Sequence, residues 1–157
     1  MKILVSESDF DAGTEISALH AGQPRVGAVA SFVGLVRDLN EGSDVTTLTL
    51  EHYPAMTAKS LQAIVDEAAK RWLLLDVTVI HRVGRLLPMD RIVFVGVASM
   101  HRSDAFVACE FIMDYLKTRA PFWKKEGTPD GNRWVEARLS DEKAADRWHP
   151  VDVAAAE

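Results

Sequence analysis

Asp76-Val77-Thr78-Val79-Ile80-His81-Arg82-Val83 and Arg91-Ile92-Val93-Phe94-Val95-Gly96-Val97-Ala98-Ser99-Met100 are two β-rich runs on either side of a turn-like stretch, Leu87-Pro88-Met89-Asp90. Runs of this composition read as strands, and no helical period separates them. Strands that follow one another without a crossover helix favour an α+β fold over a doubly wound parallel sheet. Downstream, Ser103 is placed to cap a helix, with Asp104 suited to its positive end. That helix is expected to bury Phe106, Cys109, Met113 and Leu116 on one stripe and to stop at Pro121. Arg133 to Arg138 reads as a last strand. Upstream, Leu61, Ile64, Val65, Ala68 and Trp72 form a helical stripe, with Asp66/Lys70 and Glu67/Arg71 as i,i+4 pairs on its wet side. Val45 to Tyr53 alternates Leu48 and Leu50 with Thr47, Thr49 and Glu51, so one face of that strand is expected to be wet. Val26 to Val36 is a glycine-punctuated strand. Asp11 to Ala21 is a helix stopped by Gly22, and Lys2 to Ser6 is a short strand. The expectation is an α+β domain over residues 1–150 with a mainly antiparallel sheet and about three helices, and a disordered tail over 151–157.

The 157 residues are 48% hydrophobic and 26% charged, ordinary for a globular protein. No apolar run reaches the roughly 20 residues that span a bilayer, and the acidic start is no signal peptide. A cytoplasmic protein with no membrane partner is the expectation. The single cysteine, Cys109, excludes an intramolecular disulfide and a multi-cysteine zinc site. A net charge of −5 argues against nucleic-acid binding. The charge is uneven, however: residues 81–125 carry eight Lys/Arg against four Asp/Glu, a net positive segment in an acidic chain. Such a segment can attract a small anion.

Four features in or near it can carry chemistry. Phe32-Val33-Gly34-Leu35-Val36-Arg37-Asp38 ends a strand in a glycine and then an arginine. His101-Arg102 stands at a strand-to-helix junction, where free N–H groups and a helix dipole suit an anion. Lys117-Thr118-Arg119 closes a helix, and Phe122-Trp123-Lys124-Lys125 follows the Pro121 break. Each has a plain structural reading. Cations complement a helix C-terminus, Arg37 can pair with Asp38 or Glu51, His101 can be a satisfied imidazole, and Trp123 can be core. Taken together, they offer arginines to hold a phosphate and a lysine whose pKa neighbouring cations depress, freeing an amine as base or nucleophile. Cys109, on an apolar helical stripe, reads as inert core. The five histidines lack metal-ligand spacing, so no metal is expected.

The ordered set of segments is similar to the molybdopterin synthase catalytic (large) subunit, or MoaE, family. The matching stretches are Gly27-Ala28-Val29 through Val36-Arg37-Asp38, Leu48 to Pro54 with Met56, His81-Arg82-Val83-Gly84, Val95-Gly96-Val97 through His101-Arg102, and above all Phe111 to Glu126. The likeness covers roughly residues 26–138.

The resemblance implies an α/β-hammerhead type of fold and a homodimer within a heterotetramer. Each copy would bind a small ubiquitin-like subunit whose C-terminal Gly-Gly thiocarboxylate donates sulfur. The substrate would be cyclic pyranopterin monophosphate, converted by two sulfur transfers to the dithiolene molybdopterin. No cofactor is implied. The family's essential lysines fall on Lys117 and Lys124, and its substrate-binding residues on Arg37, His101, Arg102 and Arg138, some of them acting across the dimer interface. Phe32 and Met113 match positions near the partner's tail. Two rival readings are a non-enzymatic adaptor that only docks a carboxylate tail, and a different acyl or phosphoryl transferase using the same lysines.

Overall fold

The structure, a computed structural model, describes residues 1–136 and 138–149. The expected tail, 151–157, lies outside the described residues. The elements, in chain order, are β1 (Lys2–Ser6), α1 (Ala12–His20), β2 (Ala28–Leu35), β3 (Leu39–Asn40), β4 (Ser43–Asp44), β5 (Thr47–His52), α2 (Pro54–Arg71), β6 (Leu74–Arg82), β7 (Gly84–Leu86), β8 (Arg91–Ser99), α3 (Arg102–Arg119), β9 (Phe122–Thr128), β10 (Gly131–Val135) and α4 (Leu139–Asp146).

Two four-stranded sheets carry the fold, ordered β1-β6-β8-β2 and β10-β9-β5-β7. Only β1 and β6 run parallel; β6 with β8 and β8 with β2 are antiparallel, as is every pair in the second sheet. The α+β class expected from the adjacent strand pair therefore holds. Both β6 and β8 sit inside the first sheet, which explains their near-continuous apolar sequence: Val77, Val79, Val95 and Val97 are buried against α2 and α3, and Ile80, Phe94 and Ala98 against α1. Gly96 lets α1 lie this close, since a Cβ there would stand 2.5 Å from the Leu19 Cδ1 atom.

The chain leaves the first sheet for the second at Gly84, whose φ of +83° an L side chain would strain. There β7 pairs with β5, and Leu48, Leu50, Leu86, Val83 and Val36 form a small second core. The seam between the two sheets thus has its own apolar floor.

Several expectations need correction. The described residues hold four helices rather than about three. The additional one, α4, packs on α3 through Trp148 Nε1 and Arg147, both donating to Asp114. Arg138 is its N-cap, and the last strand is Gly131–Val135 and not Arg133–Arg138. Helix α3 starts two residues earlier than a Ser103 cap would set it: His101 is its N-cap and makes no side-chain capping bond. Its buried face is Ala105, Ala108, Cys109, Phe111, Ile112, Tyr115 and Leu116. Phe106 is 67% exposed. Of the two i,i+4 pairs on α2, Glu67–Arg71 closes at 2.7 Å, whereas Asp66 accepts from Gln62.

Candidate active site

The seam between the sheets opens as a groove with two adjoining lobes. One, of about 250 Å³, is lined by Arg37, Asn40, Lys117, Lys124, Arg138 and Asp141, among others. The other, of about 410 Å³, is mainly apolar and includes Phe32, Ile92, Val93, Met113, Leu116 and Phe122. Leu35, Arg37, Ile92, Lys117, Phe122 and Lys124 line both, so the two lysines stand where the lobes meet.

Each side chain arrives by a definable route. Lys117 lies in the last turn of α3, one turn beyond Met113, so both face the same wall. Lys124 comes from β9, where period-2 alternation puts Phe122, Lys124 and Glu126 on the groove side and turns Trp123 and Lys125 outward. Trp123 is accordingly not core. It is 41% exposed and meets Tyr53 edge-on at 4.6 Å. Arg37 follows the irregular end of β2, where the register slips at Gly34/Leu35. Val36 is pinned there by exchanging hydrogen bonds with the 89–90 turn, at 2.9 and 2.8 Å. Arg37 makes no ion pair with Asp38 or Glu51.

Burial, then the neighbouring Lys117 charge, pushes the Lys124 ammonium down to about 8. About a tenth of such a group is neutral amine at pH 7. The expectation of a depressed lysine is met at Lys124, although desolvation outweighs the neighbouring cations. His81 borders the apolar lobe, stacked on Phe122 with centroids 3.8 Å apart. Burial drives its pKa down to about 4, and its Nδ1 lies 2.8 Å from the Arg82 carbonyl. It is a neutral, apolar-packed imidazole beside the lysines.

A polar chain, buried at Asn40 and Glu126, backs the cationic lobe. Arg138 Nη2 donates to the Asn40 side-chain oxygen, and Asn40 Nδ2 donates to Glu126 Oε1 at 2.6 Å. The other Glu126 oxygen accepts from Arg133 Nε and Nη2 at 3.0 and 2.9 Å. Sequence reading missed Asn40, Glu126 and His81. Only His81, a polar group in an otherwise strand-like run, could have been signalled by its residue type.

Of the residues singled out in the sequence, Phe32, Arg37, Met113, Lys117, Lys124 and Arg138 converge on the groove. His101 and Arg102 do not. They stand at the start of α3 while Lys117 stands near its end, roughly 24 Å away along the axis. Cys109 is in the main core, and burial raises its thiol to about 11. Among the described residues, no group of three or more His, Cys, Asp or Glu side chains is arranged to hold a metal ion. No helix among them is long and apolar enough to cross a membrane.

The fold and groove define a class: an α+β protein with a cationic lobe and an apolar lobe on either side of a lysine pair. The chain belongs to the MoaE protein family, whose profile matches residues 5–119. A molybdopterin synthase catalytic subunit from Ralstonia nicotianae is 64% identical over 146 residues, 93% of this chain and 83% of that one. The solved structure of a molybdopterin biosynthesis MoaE protein from Burkholderia ambifaria superposes with a TM-score of 0.80 at 56% identity, covering 94% of this chain and 97% of that chain. A chain from the complex of subunits 1 and 2 of molybdopterin-converting factor from Helicobacter pylori shares the fold at a TM-score of 0.69 and 20% identity, covering 87% and 90%.

Proposed function

We propose that the chain is the catalytic subunit of molybdopterin synthase, a sulfurtransferase acting with a small ubiquitin-like subunit on cyclic pyranopterin monophosphate. The observation that carries this reading is the placement of Lys117 and Lys124 between a cationic lobe and an apolar lobe. The cationic lobe suits the substrate phosphate, with Arg37 and Arg138 as guanidinium donors. The apolar lobe, walled by Phe32 and Met113, suits an extended C-terminal tail inserted to bring its thiocarboxylate to the lysines.

The lysines then do two things. As ammonium groups they stabilise negative charge developing on the oxygen that sulfur replaces and on the tail's carboxyl terminus. As a neutral amine one of them accepts or relays a proton, or acts as transient nucleophile. Lys117 is assigned the principal acid/base or nucleophilic role and Lys124 the supporting one. The seclusion of Lys124 is what brings an amine near neutrality at physiological pH. Sulfur arrives on the partner, so the chemistry asks for no thiol in the groove, and Cys109 is sequestered elsewhere.

His101 and Arg102 lie too far from the lysines to share an anion with them in one chain, so their place in substrate binding requires a second copy. A homodimer with one small subunit on each copy meets that requirement. The Helicobacter pylori neighbour is itself a complex of two different subunits, which supports the small partner subunit.

The test is reconstitution: purified chain, thiocarboxylated small subunit and cyclic pterin, with dithiolene product followed over time. Product with the wild type and none with Lys117→Ala is expected. A well-formed complex with the small subunit that makes no product would replace this reading with a docking adaptor.

A further inference from the structure

We propose that Asn40 is a positioning residue, holding the Arg138 guanidinium in the cationic lobe while leaving its positive charge uncompensated. The inference rests on reading that lobe as the seat of an anion.

Asn40 belongs to the two-residue strand β3 and is 8% exposed. Its amide is used in both directions: the oxygen accepts from Arg138 and the nitrogen donates to Glu126 at 2.6 Å. Its own carbonyl accepts from Arg133 Nη2 at 3.0 Å. Every polar atom of this side chain therefore has a fixed partner, so the amide has one orientation and one direction in which to point Arg138.

The charges decide why an amide stands there. Glu126, 5% exposed, is engaged by Arg133 through two hydrogen bonds. That pair is internally neutral. Asn40 lies between it and Arg138, so the guanidinium is held by a neutral acceptor and not by a carboxylate. Glu136 and Asp141 also border the lobe, facing Arg37, Lys117, Lys124 and Arg138. Among the described residues, neither carboxylate comes within 4 Å of Arg138 as an ion pair. The residual positive charge is thus left on the groove side, where an anion can use it. A carboxylate at position 40 would do the opposite: it would neutralise Arg138 and stand against Glu126.

The experiment titrates the full chain with inorganic phosphate, using wild type, Asn40→Ala, Asn40→Asp, Arg138→Ala and both Asn40 variants combined with Arg138→Ala. Thermal melting serves as the fold control. Asn40→Ala is expected to weaken phosphate binding about tenfold, and Asn40→Asp further, because it adds a counter-charge. In the Arg138→Ala background Asn40→Ala should not weaken it again, whereas Asn40→Asp keeps only the part of its effect that its added charge exerts on the other cations of the lobe. A merely structural amide predicts that the alanine variant is at least as weak as the aspartate one, and that its effect persists without Arg138. Either result overturns the proposal, as does a wild type that binds no phosphate in the groove. Should Asn40→Ala fail to fold, Asn40→Ser decides by the same comparison. The two readings separate cleanly: phosphate coupling without any sulfur transfer would sink the proposed function and leave this inference standing.

Discussion

Lys117 and Lys124 both stand where the two lobes of the groove meet, although one comes from the end of a helix and the other from a strand beyond the Pro121 break. Two neighbouring ammonium groups repel, and the Lys117 charge adds to burial in lowering Lys124. The repulsion is relieved when one amine is neutral. If that neutral form acts in turnover, kcat/KM should rise with pH along a limb centred near 8, the value to which burial and Lys117 bring Lys124. Lys117→Ala and Lys124→Ala should each lower turnover by at least about a hundredfold with little change in melting temperature. A pH profile flat from 6 to 9 in the wild type would remove Lys124 from proton transfer.

The same burial has a stability signature of known sign. Lys124 is lowered from 10.5 to about 8, so between those values the unfolded chain holds a proton that the folded chain lacks. The burden of burying its charge is fully present below pH 8 and is relieved as pH rises toward 10.5. His81, lowered from 6.5 to about 4, acts in the acid range. Its contribution is intact above pH 6.5 and is lost as pH falls through 4, because the unfolded imidazole takes up a proton first. Melting curves of His81→Gln, read against the wild type from pH 7 to 4, should show a shallower acid loss. Equal slopes would mean that other groups set the acid limit.

Phe32 and Met113 test the apolar lobe. Phe32→Ala and Met113→Ala should weaken association with the small subunit by about tenfold while leaving phosphate affinity unchanged. Isothermal titration with each ligand separates the two effects. A loss of phosphate binding in either variant would mean the lobes are not independent.

Cys109 provides a control on the sulfur chemistry. Buried in the main core with its thiol raised to about 11, it should resist alkylating reagents at pH 7.5 in the folded protein. Cys109→Ala should retain full turnover and lose about 1–2 kcal/mol of stability, as expected for a small buried side chain. Inactivation by a thiol reagent without unfolding would contradict the sulfur-on-partner reading.

The parts of the fold visible in the sequence were those where one face alone is apolar or where both are. The central strands β6 and β8 are buried on both sides by helices, so their runs are long and unmistakable. Strand β9 was illegible for a physical reason. Its groove-facing residues, Phe122, Lys124 and Glu126, are one apolar ring and two charges, so no hydrophobic alternation marks it. Helix α3 was found, with one residue of its expected stripe misplaced. It packs against the first sheet, α2 and α4 and is apolar around much of its circumference, so more than one stripe fits: Cys109 and Leu116 are buried and Met113 packs on the core as expected, but Phe106 faces outward. The cluster of Arg37, Lys117 and Lys124 could be suspected from residue type. The Asn40–Arg138 contact could not, since it joins residues 98 apart by a bond that no local period encodes.

Helix α4 has a consequence for how local opening reaches the groove. Arg138 is its N-cap, and the helix is anchored on Asp114 by Arg147 and Trp148. Both lysines and the apolar wall belong to other elements. Loosening of that one anchor would therefore unsettle the guanidinium of the cationic lobe and leave the socket for a peptide tail in place.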